Sequence, residues 1–220
     1  MDAQTVFLFD VDNTLLDNDR VADDLRQHLE RILGRELQQH YWAIFEQLRS
    51  EVGYADYLGA LQRFRLETPC DPRFVAISYF LIDYPFYQRL YPGALETVAA
   101  ARSCGKAVIL SDGDVVFQPH KIRRSGLLQA VERNVMVTIR KEDELDDVES
   151  RYPARHYVLV DDKLRILTAV KKVWGERVTT VFPRQGHYAL DEKILAAYPP
   201  ADVTVGAIGE LLPLLEKGAI

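Results

Sequence analysis

The chain has 220 residues, of which 48% are hydrophobic and 27% are charged, and its formal net charge is -6. This composition is typical of a folded globular protein. The net negative charge and the lack of a basic stripe argue against nucleic acid as the main partner. No apolar run approaches the roughly 20 residues that cross a bilayer, so we expect no membrane partner either.

The cysteines and the N-terminus indicate the compartment. Cys70 and Cys104 form no CxxC pattern and no disulfide framework, which favours a reducing environment. The first residues lack the basic segment and apolar stretch of an export signal. We therefore expect a cytoplasmic protein, and nothing in the sequence predicts its oligomeric state.

The most informative stretch is TVFLFDVDNTLLD, residues 5–17. Its apolar start, residues 5–9, is typical of a strand buried on both faces of a parallel sheet. Asp10, Asp12 and Thr14 follow at the strand end. An Asx turn is the simplest interpretation of an isolated DxD. Two carboxylates at this spacing also suit a hard cation, with a nucleophile beside an acid/base.

The next segment, residues 17–90, is predicted to be entirely helical. Val21, Leu25, Leu29 and Ile32 recur at helical spacing, and Gly34 is expected to end that helix. Further helical patterns occupy residues 37–48, 57–64 and 74–81, with a loop over residues 68–72. No convincing strand interrupts them.

From residue 91 onward, predicted strands alternate with helices. Strands are expected over residues 107–110, 135–139, 157–160, 178–182 and 203–205. Helices are expected over residues 94–103, 121–128 and 164–174 between them. This alternation predicts an α/β fold with a parallel sheet, right-handed crossovers and helices on both faces.

Chemically active residues follow the ends of separate strands. Parallel strands bring such ends to one edge of the sheet, where ligands bind. The set comprises carboxylates, one hydroxyl, one lysine and the backbone N–H of Gly113, which together suit phosphoryl transfer. Its side chains are Asp10, Asp12, Ser111, Lys141, Asp161 and Asp162.

These motifs resemble the haloacid dehalogenase superfamily, in its phosphatase branch with a helical cap after the first motif. Residues 10–14 match the first motif, residues 110–111 the second, Lys141 the third, and residues 161–162 the fourth. The resemblance implies a Rossmann-like catalytic core over residues 1–16 and 91–220. It also implies an inserted all-helical cap domain over residues 17–90.

The resemblance further implies a Mg²⁺-dependent phosphatase with a covalent intermediate. Asp10 would attack phosphorus and form an aspartyl phosphate, and Asp12 would act first as acid and then as base. Mg²⁺ would be held by Asp10, the Asp12 backbone carbonyl and Asp162, with Asp161 ligating directly or through water.

Substrate binding is expected at Ser111, Asp112, Gly113 and Lys141, on a small phosphorylated metabolite. The halide-displacing branch does not need a second Asp in the first motif, so Asp12 argues against dehalogenation. Two alternatives stay open, a phosphomutase and a non-catalytic protein that binds a phosphorylated ligand on the same fold.

Two further elements allow competing interpretations. Lys121 is a second candidate for the site cation, but its helix should run away from the catalytic edge, so Lys141 is favoured. Lys121 is then expected to be a solvent-exposed helix lysine. The loop over residues 184–187 follows the fifth strand and could touch the site, although a structural role is favoured.

Overall fold

A computed structural model describes residues 3–69 and 71–220 of the chain. Cys70, which the sequence predicts in a loop, lies outside the described residues. The core is a six-stranded parallel sheet with strand order β3-β2-β1-β4-β5-β6. The strands are β1 Ala3–Phe9, β2 Lys106–Asp112, β3 Val135–Thr138, β4 Ala154–Val160, β5 Val178–Pro183 and β6 Val203–Val205. The predicted parallel α/β sheet is confirmed.

The central strand β1 is buried on both faces, as its sequence predicts. Phe7 and Phe9 belong to one hydrophobic cluster, and Val6 and Leu8 belong to the cluster on the opposite side of the sheet. β1 pairs with β2 on one side and with β4 on the other. The chain order reverses between β1 and β4, and ligands of open α/β sheets bind at such a switch point.

Between β1 and β2 lies a helical insert, which we define as residues 17–90. Its helices are α1 Asn18–Leu33, α2 Arg35–Val52, α3 Tyr57–Glu67 and α4 Arg73–Asp83. α1 begins at Asn18 because the Asp17 carboxylate accepts from the Arg20 N–H and caps the helix. It ends at Gly34, whose φ of 86° suits glycine.

The two ends of the insert lie side by side on the core. The Asp17 N–H donates to the Arg89 carbonyl at 2.7 Å, and the Tyr91 N–H donates to the Leu15 carbonyl at 3.0 Å. Insert residues such as Leu25 and Phe64 share one hydrophobic cluster with the sheet residue Phe7. The insert is therefore packed onto the core and hydrogen-bonded to it at both connections.

The remaining helices flank the sheet. They are α5 Ala94–Cys104, α6 Phe117–Arg124, α7 Leu127–Ala130, α8 Leu145–Arg151, α9 Leu164–Trp174, α10 Gly186–Leu190, α11 Glu192–Ala197 and α12 Leu212–Glu216. The single helix predicted over residues 121–128 is wrong, because Gly126, at φ 88°, separates α6 from α7. Within residues 3–69 and 71–220, no helix has the length and apolar character required to traverse a membrane.

Candidate active site

Asp10 follows the last residue of β1 and lies 3% exposed at the sheet edge. Its Oδ1 accepts from Lys141 Nζ at 2.5 Å and from Ser111 Oγ at 3.3 Å. Burial raises the pKa of Asp10, but the charges of Lys141 and Lys163 outweigh burial and lower it below the ordinary value. Asp10 is therefore held as a carboxylate.

Lys141 is completely buried, and its Nζ also donates to Asp161 Oδ2 at 2.9 Å. Burial by itself lowers the pKa of a lysine, but Asp10 and Asp161 raise the pKa of Lys141 well above its usual value. Lys141 thus carries a fixed positive charge between the ends of β1 and β4. The structure brings it to the edge where the sequence places it.

Asp10, Asp161 and Asp162 form a buried acidic cluster, in which one carboxylate oxygen from each residue lies within 4.8 Å of the others. Asp10 Oδ2 and both Asp162 oxygens accept no hydrogen bond from the described part of the chain. Burial, together with the neighbouring carboxylates, raises the pKa of Asp162 well above its usual value. Oxygen atoms of this kind are ligands for a hard cation, so the cluster fits a divalent ion.

Charge balance within the cluster supports the same conclusion. Lys141 and Lys163 are the cations whose charges act on all three carboxylates. Two lysines do not neutralise three carboxylates, and a buried uncompensated charge is costly. A bound divalent cation would compensate that negative charge and leave a net positive charge, which suits an anionic ligand.

Asp161 and Asp162 are adjacent in sequence but differ in their partners. Asp161 Oδ1 accepts from the Lys163 N–H and Oδ2 accepts from Lys141 Nζ, both at 2.9 Å. The Asp162 backbone N–H donates to Thr14 Oγ1 at 3.0 Å, while its carboxylate oxygens accept no hydrogen bond from the residues that the structure describes. Its free carboxylate oxygens make Asp162 the better direct ligand of the pair.

Asp12 has a different environment from Asp10. Its carboxylate accepts from Lys121 Nζ at 2.7 and 2.9 Å, and Gln118 Nε2 lies 3.4 Å from Asp12 Oδ2. Lys121 is only 1% exposed. The expectation that Lys121 is a solvent-exposed helix lysine is therefore wrong.

The reason is the direction of the side chain. Lys121 lies four residues beyond Phe117, the first residue of α6, or about 6 Å along the helix axis. Helical side chains slant toward the N-terminus, which here faces the catalytic edge. The helix backbone at Lys121 has moved away from the sheet edge, but the long lysine side chain spans this distance and reaches Asp12.

Ser111 and Gly113 come from the end of β2, and their polar groups have different partners. Ser111 Oγ contacts Asp10 and accepts from Gln118 Nε2 at 2.9 Å. The Gly113 N–H, expected to bind a phosphoryl oxygen, instead donates to the Thr138 carbonyl at 3.0 Å. It extends the pairing of β2 with β3 and is not free for substrate.

Asp112 supports Lys141 from the neighbouring strand. Its Oδ1 accepts from Thr138 Oγ1 at 2.7 Å and from the Lys141 N–H at 2.8 Å. Burial raises the pKa of Asp112, against the opposing charge of Lys141. Asp112 also lines the cavity above the acidic cluster. Its contact with substrate stays a prediction, whereas its hydrogen bond to the Lys141 N–H is observed.

A cavity of about 700 Å³ opens above the acidic cluster, between the core and the helical insert. The insert contributes aromatic side chains and arginines, and the core contributes residues that follow β4 and β5. The lining includes Asp10, Asp12, Ser111, Asp162 and Lys163, then Arg26, Trp42, Phe45, Arg49, Tyr54 and Tyr57, and then His187, Tyr188, Ile194 and Tyr198.

The loop after β5 contacts the first motif directly. Gln185 Nε2 donates to the Thr14 carbonyl at 3.0 Å, and Gln185 Oε1 accepts from the Ile208 N–H at 2.6 Å. His187 Nδ1 lies 2.6 Å from Asp19 Oδ1, across the cavity rim. The loop therefore combines the structural role that the sequence favours with a side chain at the site.

A family model described as haloacid dehalogenase-like hydrolase matches residues 4–172. The chain belongs to this family. The family expected from the sequence motifs is thereby confirmed. A search of curated proteins found no match.

Three solved structures similar to the hydrolase match at least 95% of this chain. A haloacid dehalogenase-like hydrolase from Burkholderia xenovorans LB400 is 63% identical, with a TM-score of 0.90 over 95% of this chain and 97% of the other. An L-2-haloacid dehalogenase from Xanthobacter autotrophicus is 20% identical, with a TM-score of 0.62 over 98% and 99% of the chains. A magnesium-bound hydrolase from Bacillus subtilis is 16% identical, with a TM-score of 0.61 over 96% and 98%. At these two low identities the likeness shows the fold alone.

Sequence reasoning missed Gln118 and Lys163 and misplaced Lys121. Gln118 lies one helical turn before Lys121 on α6, so their shared helix face is a signal that spacing could have given. Lys163 directly follows the fourth motif, and its position after a charged strand end was also a signal. Its pKa, lowered by burial, is raised overall by Asp162, Asp10 and Asp161.

Proposed function

We propose that the hydrolase is a Mg²⁺-dependent phosphomonoesterase that acts on a small phosphorylated metabolite through an aspartyl phosphate on Asp10. The observation that carries this proposal is the set of buried carboxylate oxygens on Asp10 and Asp162 that accept no hydrogen bond from the described residues, next to the fixed cation Lys141. A phosphate dianion would be repelled by this cluster alone, and a divalent cation would reverse that repulsion.

Asp10, Asp162 and the Asp12 backbone carbonyl would hold Mg²⁺. When bound, Mg²⁺ supplies charge neutralisation for the phosphoryl oxygens. The Bacillus subtilis structure of the same fold contains magnesium, which is in keeping with this assignment. Asp161 already accepts from Lys141 and from the Lys163 N–H, so we assign it to orienting Lys141 rather than to direct ligation.

The reaction divides into two steps at Asp10. Asp10 attacks phosphorus while the bond to the leaving oxygen breaks, and Asp12 donates a proton to that oxygen. Asp12 then removes a proton from a water molecule, which attacks the aspartyl phosphate and releases phosphate. Lys141 and Ser111 contact Asp10 and would bind the phosphoryl oxygens throughout.

The helical insert would act as the cap that selects the leaving group. The core supplies the carboxylates, Ser111 and the lysines, which recognise phosphate and little else. The rest of the cavity wall is largely aromatic and comes from the insert and from the segment after β5. We therefore propose a substrate whose non-phosphate part carries apolar or ring surface.

The test is hydrolysis of an aryl phosphate by the purified chain, with and without Mg²⁺. We expect phosphate release that requires Mg²⁺ and that falls at least about 10⁴-fold in Asp10→Asn, because an amide is a poor nucleophile. Acid quenching of the wild type should trap phosphate on Asp10.

Four outcomes would contradict the proposal. Full activity after exhaustive chelation would show that the reaction needs no metal. A phosphoenzyme on another residue would show that Asp10 is not the nucleophile. Chloride release from 2-chloropropanoate in the absence of phosphatase activity would assign the site to dehalogenation. Transfer of the phosphoryl group to a sugar in preference to water would indicate a mutase instead.

A further inference from the structure

Lys121 is a buried lysine whose hydrogen-bonding capacity is fully used. Its ammonium donates to both oxygens of Asp12, at 2.7 and 2.9 Å, and to Asn18 Oδ1 at 3.0 Å. A lysine ammonium has three donors, and these contacts occupy all of them. No donor is left for a phosphoryl oxygen, so Lys121 differs in role from Lys141.

The third of these contacts reaches the helical insert. Asn18 is the first residue of α1, and its backbone N–H donates to Asn13 Oδ1 at 3.0 Å. Its Nδ2 lies 3.4 Å from the hydroxyl of Tyr57, the first residue of α3. Lys121 therefore joins the candidate acid/base residue to two insert helices.

We infer that Lys121 is a positioning residue, which holds the Asp12 side chain where its protonated form can donate to the leaving oxygen. Through Asn18, Lys121 also ties that position to the insert. Two contacts to one carboxylate fix its rotation, whereas a single contact would not. A displacement of about 1 Å at a catalytic group can lower a rate by about 10²-fold.

The inference rests on the proposed function, because Asp12 acts as an acid only if the substrate has a leaving oxygen. The competing explanation is a purely structural ion pair that satisfies a buried lysine. The two differ in one measurable respect. A positioning residue matters most for leaving groups that need protonation, whereas a structural residue affects all substrates equally.

The first experiment measures kcat/KM for aryl phosphates whose leaving phenols range from 4-nitrophenol to phenol. This parameter reports the steps up to the first irreversible one, and therefore the acid role of Asp12. We expect Lys121→Met to lower kcat/KM for phenyl phosphate by about 10- to 100-fold and for 4-nitrophenyl phosphate by less than about threefold. Arg124→Met, on the exposed face of the same helix, should change neither value.

A double-mutant cycle tests whether Lys121 acts through Asp12. In the Asp12→Asn background, Lys121→Met should lower kcat/KM by less than about twofold, because the group it positions is already inactive. Asn18→Ala should give the same leaving-group dependence as Lys121→Met, but with a smaller loss. Multiplicative effects in the cycle, or equal losses for every aryl phosphate, would overturn the inference.

A crystal structure of Lys121→Met separates this inference from the proposed function. We expect the Asp12 carboxylate to leave its present position, and an unchanged Asp12 would overturn the inference whatever the activity. If the wild type hydrolyses no aryl phosphate, the proposed function fails, and the crystal structure still decides the positioning role. If Lys121→Met does not fold, Asn18→Ala provides the same two readouts.

Discussion

Four carboxylates meet at one edge of the sheet, and their partners separate their roles. Asp10 is held by Lys141 and Ser111, Asp12 by Lys121, and Asp161 by Lys141 and a backbone N–H. Only Asp162 has both carboxylate oxygens buried without a partner in the described chain. When chemically identical groups have different environments, one site can use one of them for proton transfer and another for binding a ligand.

Asp162→Asn tests the cation site by stability. In the absence of metal, burial, together with repulsion from the neighbouring carboxylates, raises the pKa of Asp162, so this group destabilises the fold at pH values above the ordinary carboxyl pKa. We expect Asp162→Asn to raise the Tm in chelator by about 2–4 °C for each kcal/mol of repulsion removed. We also expect it to abolish the increase in Tm that Mg²⁺ gives the wild type.

Asp12→Asn is the matched control for this measurement. The Asp12 carboxylate pairs with Lys121 and lies outside the acidic cluster, so the response of Tm to Mg²⁺ should survive. If the wild-type Tm does not respond to Mg²⁺, or if Asp162→Asn responds equally, the assignment of Asp162 as a cation ligand is wrong. Differential scanning fluorimetry over a Mg²⁺ titration gives both results.

At the scale of elements, α1 is joined to the end of the insert by Asp24. This carboxylate is 16% exposed and accepts from the Tyr84 hydroxyl at 2.5 Å and from Arg89 Nη2 at 2.6 Å. Burial raises the pKa of Asp24, but these hydrogen bonds outweigh burial and lower it. The contacts connect the first helix of the insert to the segment that returns to the core.

Asp24→Asn should lower the free energy of unfolding by about 1–3 kcal/mol at pH 7, because charge-assisted hydrogen bonds are lost. Since the folded pKa lies below the ordinary carboxyl value, this stabilisation is present above about pH 4 and disappears as pH falls through the folded pKa. Urea unfolding at pH 7, 5 and about 3 measures this change in the free energy of unfolding. The difference in the free energy of unfolding between wild type and Asp24→Asn should become smaller only below about pH 4.

Asp23→Asn provides the comparison on the same helix. Asp23 is 55% exposed and pairs with Arg26 within one turn, so its replacement should change stability by less than about 0.5 kcal/mol. Equal losses at Asp23 and Asp24 would show that the link to Tyr84 and Arg89 contributes nothing particular.

At the scale of the whole molecule, the cavity exists because the insert packs over the sheet edge that holds the acidic cluster. Arg49 of α2 contacts the hydroxyl of Tyr188 on α10, and Asp19 of α1 contacts His187. Of the insert tyrosines, Tyr54 and Tyr57 line the cavity. Tyr41 is buried in the hydrophobic core, and Tyr79 and Tyr84 line a second, smaller cavity elsewhere.

Trp42→Ala tests whether the insert selects the leaving group. Trp42 lines the cavity, and its indole Nε1 is buried with no hydrogen-bond partner in the described chain. We expect kcat/KM for naphthyl phosphate to fall about tenfold, as a lost aromatic contact implies, and kcat/KM for acetyl phosphate to change by less than about threefold.

Tyr79→Ala removes an aromatic side chain from the same insert, at a position that is 65% exposed and outside this cavity. It should leave the ratio of kcat/KM for naphthyl phosphate to kcat/KM for acetyl phosphate unchanged. If Trp42→Ala lowered both substrates equally while the protein stayed folded, the insert would not be the selector.

The site residues whose positions could be predicted from the sequence are those at or just beyond the end of a strand. Asp10, Ser111, Lys141 and the pair at residues 161–162 follow buried strands, and parallel pairing brings the carboxyl ends of such strands together. Their convergence needs only the identity and direction of each strand, which are local properties of the chain. The same local logic predicted the helix end at Gly34 and the all-helical character of residues 17–90.

Only the tertiary structure decided which partners these groups have. Lys121 reaches Asp12 because of the tilt and length of a helical side chain, and the Gly113 N–H is consumed by pairing with β3. The free oxygens of Asp162, in contrast to those of Asp161, depend on where Lys141 and the Lys163 N–H point. These are contacts between segments distant in sequence, and their geometry follows from packing of the whole chain rather than from any local pattern.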